Sequence, residues 1–268
     1  MLTKAQIIQT TAYALSIHQP LPNDIPHYGI DYSFSFSISL PLSRTITLGN
    51  SIIWPQCYAI VDWGDGAISN FTEHEPDYPL DYQHRYAQGG IYTIEIAYNE
   101  DTIHPTEIDD QFNMKQIVNT DYLISVNSVL PVVFDKIESF EKLFYYCENL
   151  TLIPPGLFDH CPLVTSFEGC FYNCKYLTLI PSRLFKRSSL VTSFKECFYG
   201  CDGLDSIPEG LFDDCPLVTD FTRCFYGCTG ITSSVPELWV DYPNTSHAAC
   251  YYNCYYAANY ASIPQDWK

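Results

Sequence analysis

The sequence is poor in positive charge. Only 13 of its 268 residues are Lys or Arg, against 31 Asp or Glu, so the formal net charge is -18 at pH 7. A protein that binds nucleic acid or an anionic membrane surface uses a basic patch to neutralise phosphates, and this composition argues against one. Apolar runs are short, and none approaches the roughly 18–20 residues that cross a bilayer. We therefore expect no nucleic-acid partner and no membrane insertion.

Signals for catalysis are also missing. The chain has no Gly-rich phosphate loop, no Cys and His pattern with zinc-site spacing, and no nucleophile with an evident partner base. We therefore predict a non-enzyme, with no catalytic, cofactor-binding or metal-binding residues and no cofactor.

The N-terminus lacks the features of a signal peptide. Lys4 is the only early basic residue, and no clean cleavage site follows the short apolar segment. Residues 4–17 have a modest helical pattern that Pro20 ends. We interpret residues 1–28 as an N-terminal docking arm, with a frayed terminus as an equal alternative.

Residues 29–126 have the pattern of a β-domain. Apolar residues alternate with Ser from Tyr32 to Leu40, which is typical of a strand with one buried face. Tyr92–Tyr98 alternates in the same way, and Tyr58–Val61 is a short apolar strand. Several short strands separated by turns predict a β-sandwich.

A compact turn motif lies inside this domain. Its sequence is Asp62-Trp63-Gly64-Asp65-Gly66, and it is followed by His84-Arg85-Tyr86 and Gly90-Ile91-Tyr92-Thr93-Ile94. This series resembles the PKD domain, over roughly 95 residues. The resemblance implies an immunoglobulin-like sandwich that serves as a spacer or adhesive module on an extracellular protein.

Asp62, Asp65 and His84 could in principle perform acid–base chemistry. We favour a structural role, because Asp side chains in such turns hydrogen-bond to nearby backbone N–H groups. A Ca²⁺ ion on Asp62 and Asp65 stays open, although it needs more oxygen ligands than the turn supplies.

The C-terminal half contains a repeat of about 27 residues. The motif Cys-Phe-Tyr-x-Cys and its variants end at Cys147, Cys174, Cys201, Cys228 and Cys254. A fixed period in this range is typical of stacked repeats, each of which buries an apolar face against its neighbours. We therefore predict a repeat solenoid over 127–238, followed by a C-terminal cap over 239–268.

The repeats resemble the BspA-like leucine-rich repeats of surface proteins from gut Bacteroides-type bacteria and their phages. The segment Phe198-Tyr-Gly-Cys201-Asp-Gly-Leu204-Asp-Ser-Ile207-Pro208 carries the resemblance, which extends over about 140 residues. It implies adhesion, or protein and glycan binding, without catalysis.

Each repeat motif is interpreted as a short helical turn followed by an extended segment. The Phe of the motif should lie inward and stack from repeat to repeat as a buried row. The Tyr should lie on the opposite side of the turn and face solvent, although packing against a neighbouring repeat is the alternative. An exposed aromatic row suits protein or sugar binding. The predicted binding residues are Tyr145, Tyr172, Tyr199, Tyr226 and Tyr252.

Eleven of the twelve Cys lie at or after Cys147. We expect buried, free thiols that act as small apolar side chains, because Ser188 and Leu143 replace Cys at equivalent positions. Disulfide bonds between neighbouring repeats and a zinc site are the alternatives.

Together, these features predict an α+β multidomain protein, with a PKD-like β-sandwich followed by a short leucine-rich-repeat-like solenoid. The predicted function is that of a non-catalytic phage virion structural protein, in the tail, baseplate or capsid surface. Its partners would be other virion proteins through residues 1–28, and a host-surface protein or glycan through the repeats. A homo-oligomer is compatible with the sequence. The alternatives are a secreted or cell-surface bacterial adhesin and, third, a glycan-acting enzyme.

Overall fold

The computed structural model describes residues 33–48, 59–71, 82–98 and 121–268. Its N-terminal part contains seven strands: β1 (Ser33–Leu40), β2 (Arg44–Leu48), β3 (Ala59–Asp62), β4 (Ile68–Phe71), β5 (Tyr82–Tyr86), β6 (Gly90–Tyr98) and β7 (Leu123–Val126). The alternating segments form β1 and β6, because a period of two places every second apolar side chain on the buried face. The predicted arm, residues 1–28, lies outside the described residues.

The seven strands form two antiparallel sheets. Five strands lie in the order β4-β3-β6-β1-β7, while β2 pairs with β5 in a second sheet. In the central pair, Phe36 of β1 lies opposite Ile94 of β6. Side chains from both sheets share one buried cluster, which includes Trp63 and Tyr86 with no exposed surface. This core holds the turn between β3 and β4.

Strand β7 connects the sheet to the repeats. It pairs with β1 on one side, while Ser125 forms a parallel bridge with Leu152 of the first repeat. The N–H of Val126 donates to the carbonyl of Leu152 at 2.9 Å, and the N–H of Thr151 donates to the carbonyl of Ile124 at 2.9 Å. The sheet and the repeats are therefore joined by backbone hydrogen bonds as well as by the chain.

Successive repeats are joined by rows of backbone hydrogen bonds. In one repeat, alternate N–H groups from Phe167 to Asn173 donate to carbonyls of the next repeat at 2.7–3.0 Å, and the acceptors are Ser193, Lys195, Cys197 and Tyr199. On another side, Thr192 donates its N–H to the carbonyl of Thr165 at 2.8 Å and its hydroxyl to the same carbonyl at 3.2 Å. These bonds place equivalent side chains of neighbouring repeats directly beside one another.

The predicted helical turn in each motif is wrong. Two positions per repeat have a left-handed backbone, with φ between 54° and 75°. Hydrogen bonds span three residues instead of four, as from the Cys174 N–H to the Phe171 carbonyl at 3.2 Å. Left-handed residues interrupt an α-helix, so each motif is a series of tight turns. The left-handed residues are Lys142, Gly169, Glu196, Arg223 and Ala249, and Tyr146, Asn173, Gly200, Gly227 and Asn253.

The predicted fold class, an α+β protein with a leucine-rich-repeat-like solenoid, is contradicted. In the described part of the chain, the strands belong to antiparallel sheets, and the α-helix is a single four-residue element, Leu238–Asp241. The repeats contain isolated parallel bridges such as Ser166 to Ser193, rather than a continuous parallel sheet with helices. The structure is therefore mostly β, with turn-rich repeats.

The last residues fold against the final repeat. The Trp267 carbonyl accepts the Tyr251 N–H at 2.8 Å, and the Trp267 ring stacks on His247 with 4.2 Å between centroids.

Short 3₁₀ turns occur at Val132–Phe134, Tyr260–Ser262 and Gln265–Trp267. Among the described residues, no helix has the length and apolar character needed to span a membrane.

Candidate functional site

The five predicted tyrosines form one continuous row of stacked rings, which we call the tyrosine row. Ring centroids are 4.7 Å apart between Tyr145 and Tyr172, and 4.5 Å apart between Tyr172 and Tyr199. The next separations are 4.6 Å to Tyr226 and 4.7 Å to Tyr252. The two central pairs are parallel within 3° and 1°. The inter-repeat hydrogen bonds explain this spacing, because hydrogen-bonded strands lie ≈ 4.7–4.9 Å apart.

The tyrosine row lies at the surface with its ring faces covered. The first four side chains are half-buried, and Tyr252 at the end is 40% exposed. Since each inner ring has a neighbour on both faces, its remaining exposure belongs to the ring edge and the hydroxyl group. The ring edges and hydroxyls thus face solvent, as in the first prediction, while the ring faces pack between repeats, as in the alternative.

Burial and crowding affect the hydroxyl groups of the row. Burial raises the pKa of Tyr172 to about 12, with further contributions from Tyr199 and Tyr146. The pKa of Tyr226 is also raised, first by burial and then by Tyr199. These phenols remain protonated at neutral pH, so they can donate hydrogen bonds to a partner.

Charged pairs between repeats occur beside the motif that carries the row. Lys195 Nζ lies 2.6 Å from Glu168 Oε1, and Lys175 Nζ lies 2.9 Å from Glu148 Oε1. Each pair joins residues 27 positions apart, so it links neighbouring repeats. Exposed pairs of this kind contribute little to stability, because water and salt screen them. They place both signs of charge at sequence positions next to the motif, despite the acidic composition.

The phenylalanines of the motif form a second, fully buried row behind the tyrosines. The Phe171 and Phe198 rings are 5.3 Å apart and parallel within 4°, while Phe198 and Phe225 are 5.4 Å apart and parallel within 2°. All three are 0% exposed. The prediction of a buried, stacked phenylalanine row is confirmed, and this row supports the tyrosines from inside.

The cysteines fill the space beside the phenylalanines. The eleven Cys of the described residues are buried and form no disulfide bond, while Cys57 lies outside the described part. Several thiols donate to a backbone carbonyl of the preceding repeat, as from Cys201 Sγ to Phe171 at 3.0 Å and from Cys228 Sγ to Phe198 at 3.1 Å. Burial raises the pKa of Cys215 to about 12 and that of Cys174 far above its ordinary value. These thiols are therefore neutral packing groups.

The Asp62–Gly66 turn is held by its own side chains. Asp62 Oδ1 accepts the Gly64 N–H at 2.8 Å, and Asp65 Oδ1 accepts the Ala67 N–H at 3.1 Å. Asp65 Oδ2 lies 2.7 Å from His84 Nε2, whose ring stacks on Trp63 at 5.0 Å. The carboxylates thus interact with local backbone and one ring, an arrangement that a structural role explains.

Two surface features were not predicted from the sequence. Leu163, Leu190 and Leu217 occur at a spacing of 27 and are 37%, 40% and 51% exposed. Their position in a recurring Leu-Val-Thr triplet was the available signal. A cavity of about 530 Å³ also lies where β7 meets the first repeats, and Tyr122, Asn149 and Tyr176 line it.

Among the described residues, no group of three or more His, Cys, Asp or Glu side chains is arranged to hold a metal ion. No protein-family model matches the chain, and neither a curated protein nor a solved structure matches it significantly.

Proposed function

We propose that this protein is a non-catalytic component of a phage virion that binds a protein on the host surface through the exposed edge of the tyrosine row. The supporting observation is the geometry of the row itself. Five tyrosine rings follow one another at 4.5–4.7 Å along one side of the repeats. Tyr provides apolar area and a hydroxyl group at low conformational cost, which suits recognition.

The covered ring faces favour a protein partner over a sugar. A sugar ring stacks on a free aromatic face, whereas Tyr172, Tyr199 and Tyr226 have both faces occupied by neighbouring rings. The accessible edges and hydroxyls instead offer apolar contact and hydrogen bonds, which a polypeptide surface can match. The strong negative charge of the chain further favours a partner that is neutral or basic.

The virion setting is the part of the proposal that rests on the sequence resemblance of the repeats to those of phage surface proteins. It is tested by mass spectrometry of purified phage particles from the source culture, compared with the washed surface fraction of the host cells. Peptides at stoichiometric level in the particles support a virion component. Peptides only in the cell-surface fraction would instead identify a bacterial adhesin.

The binding surface is tested with purified protein and intact host cells. The triple variant Tyr172→Phe, Tyr199→Phe and Tyr226→Phe keeps every ring stack but removes three hydroxyls. We expect its binding to fall at least about tenfold, since each lost hydrogen bond contributes about 0.5–1.5 kcal/mol. The matched control is Leu190→Ser, which alters the exposed leucines instead.

Treating the cells separates the classes of partner. Protease treatment should abolish binding of the wild-type protein, while periodate oxidation of surface sugars should leave it unchanged. Loss of binding in Leu190→Ser with full binding by the triple Phe variant would refute the tyrosine row as the binding surface. Sensitivity to periodate alone would replace the protein partner with a glycan.

A further inference from the structure

The tyrosine row has a second chemical property, which does not depend on any binding partner. The rings of Tyr199 and Tyr226 lie 4.6 Å apart and parallel within 1°. They occupy the same position in successive repeats, which backbone hydrogen bonds hold side by side, as from the Gly200 N–H to the Tyr226 carbonyl at 2.7 Å. The two rings therefore point in the same direction, and each carbon next to the phenolic carbon faces its counterpart across the gap.

This alignment is that of two phenols about to couple. A phenoxyl radical has much of its spin density on the carbons ortho to the oxygen, and two such carbons join when radicals meet. In solution the two radicals must first diffuse together. In the row they are already adjacent, and confinement of this kind corresponds to an effective concentration on the order of millimolar or above.

We propose that the tyrosine row is a site of oxidative modification, at which neighbouring repeats become covalently joined through dityrosine. The oxidant is hydrogen peroxide used by a haem peroxidase, which removes electrons one at a time. The site has the exposure that this needs, because the ring edges and hydroxyls lie at the surface while the faces are covered.

The reaction balances as follows. Each of two neighbouring tyrosines loses one electron and its phenolic proton, and one peroxide takes up the two electrons and two protons to give two waters. The two phenoxyl radicals then form one carbon–carbon bond between ortho carbons. The hydrogen on each of those carbons moves to the phenolic oxygen, which restores both aromatic rings. The protein has lost two hydrogen atoms in total.

The product would act as a covalent staple. Tyr172, Tyr199 and Tyr226 belong to successive repeats, so each cross-link joins two repeats that otherwise hold together by hydrogen bonds and packing. A cross-link between residues 27 positions apart restricts the unfolded chain, which stabilises the folded state. Oxidation would thus make the repeats more resistant to unfolding.

The test uses the full chain at about 1 µM, treated with horseradish peroxidase and hydrogen peroxide. The effective concentration of one ring beside its neighbour, on the order of millimolar, is then about a thousandfold higher than the protein concentration that governs encounters between molecules. We expect dityrosine fluorescence in the monomer fraction after gel filtration under denaturing conditions. Peptide mapping should identify the pairs Tyr172–Tyr199 and Tyr199–Tyr226.

A double variant isolates the row. Tyr172→Phe with Tyr226→Phe leaves a Phe between every two remaining tyrosines of the row, so all four neighbouring Tyr pairs are lost while the ring stack remains. We expect peptide mapping to find at least about tenfold less dityrosine between row positions in the monomer, whereas the neighbouring Tyr145 and Tyr146, with centroids 4.7 Å apart, are kept in both double variants. The matched control, Tyr255→Phe with Tyr256→Phe, removes two tyrosines that are 57% and 71% exposed and should retain the wild-type yield.

Three results would overturn the proposal. The first is dityrosine that occurs only in covalent dimers. The second is an equal yield in the two double variants. The third is no dityrosine in a sample whose exposed tyrosines the peroxidase has oxidised. Each would show that the stacked geometry does not direct the coupling. None of these results depends on whether the protein binds host cells.

Discussion

The central test of the repeat packing compares two adjacent residues, Phe198 and Tyr199. Phe198 is 0% exposed and lies between two parallel rings, Phe171 at 5.3 Å and Phe225 at 5.4 Å. Truncating a buried Phe to Ala costs about 3–5 kcal/mol, with the larger values where the site cannot collapse. The neighbouring repeats are held apart at a set distance by backbone hydrogen bonds, such as the 2.9 Å bond from the Phe198 N–H to the Cys224 carbonyl. We therefore expect Phe198→Ala to lose about 4–5 kcal/mol.

Tyr199→Ala should cost less. Its ring also has two parallel neighbours, and each aromatic pair contributes about 0.5–1.5 kcal/mol beyond buried area. The ring edge is hydrated, however, and water can enter the gap that its removal leaves. We expect a loss of about 1–3 kcal/mol, and almost none for Tyr199→Phe, which keeps both stacks.

The assay is urea unfolding of the full chain, followed by circular dichroism, with wild type and the three variants measured side by side. Comparable m-values would show that the same structure unfolds in each. Equal losses for Phe198→Ala and Tyr199→Ala would refute the distinction between a buried row and a hydrated row. A loss below about 2 kcal/mol for Phe198→Ala would mean that the repeats collapse around the missing ring.

Three further predictions concern the turn and the thiols. Gly64→Ala should be far more destabilising than Gly66→Ala in thermal melts. Both glycines have positive φ, but only at Gly64 would the new Cβ clash with a backbone carbonyl, that of Thr93. Burial would raise the pKa of Asp65, but the hydrogen bonds from His84 and from the Ala67 N–H, together with the charge of His84, outweigh burial and lower this pKa. The contribution of the ionised Asp65 side chain to the free energy of unfolding is therefore present above about pH 4 and lost as the pH falls. Asp65→Asn lacks this contribution, so it should lose less stability than wild type between pH 6 and pH 3 in urea unfolding. Burial raises the pKa of Cys215 to about 12. The folded state therefore keeps its full stability below about pH 9, where this thiol is neutral in both states. Stability is lost as the pH rises, because the unfolded chain releases the thiol proton first. Cys215→Ala should therefore decline less than wild type between pH 8 and pH 11 in the same assay.

The sequence predicted which residues recur and which are buried, but not the backbone that carries them. Period and apolar character identify Phe171, Phe198 and Phe225 as inward residues in any stacked arrangement, helical or not. The spacing of four between the two Cys of a motif is compatible with a helical turn, and this led to the wrong fold class. Asn173 and Gly200, at the same position of successive repeats, argue against a helix there, because Asn and Gly are the residues that most readily adopt a left-handed backbone.

The tyrosine row shows a similar limit. Its five members could be identified from the period, and their common surface position follows from it. Whether rings of neighbouring repeats stack depends on the inter-repeat distance, which the hydrogen bonds set at a value close to that between strands. A period of 27 residues contains no information on that distance. The accessible part of the row, edges rather than faces, could therefore be derived only from the structure.

This double use of the tyrosines determines how the protein should be tested. The same rings stabilise the contact between repeats and present hydroxyls to solvent, so removing a ring changes both stability and surface. Alanine substitutions along the row would consequently confuse a folding defect with a binding defect. Phe keeps the stacking and removes only the hydroxyl, which is the group that would contact a partner and the group that must lose a proton on oxidation. Loss of binding or of cross-linking in Phe variants with wild-type stability would assign the effect to the surface chemistry of the row.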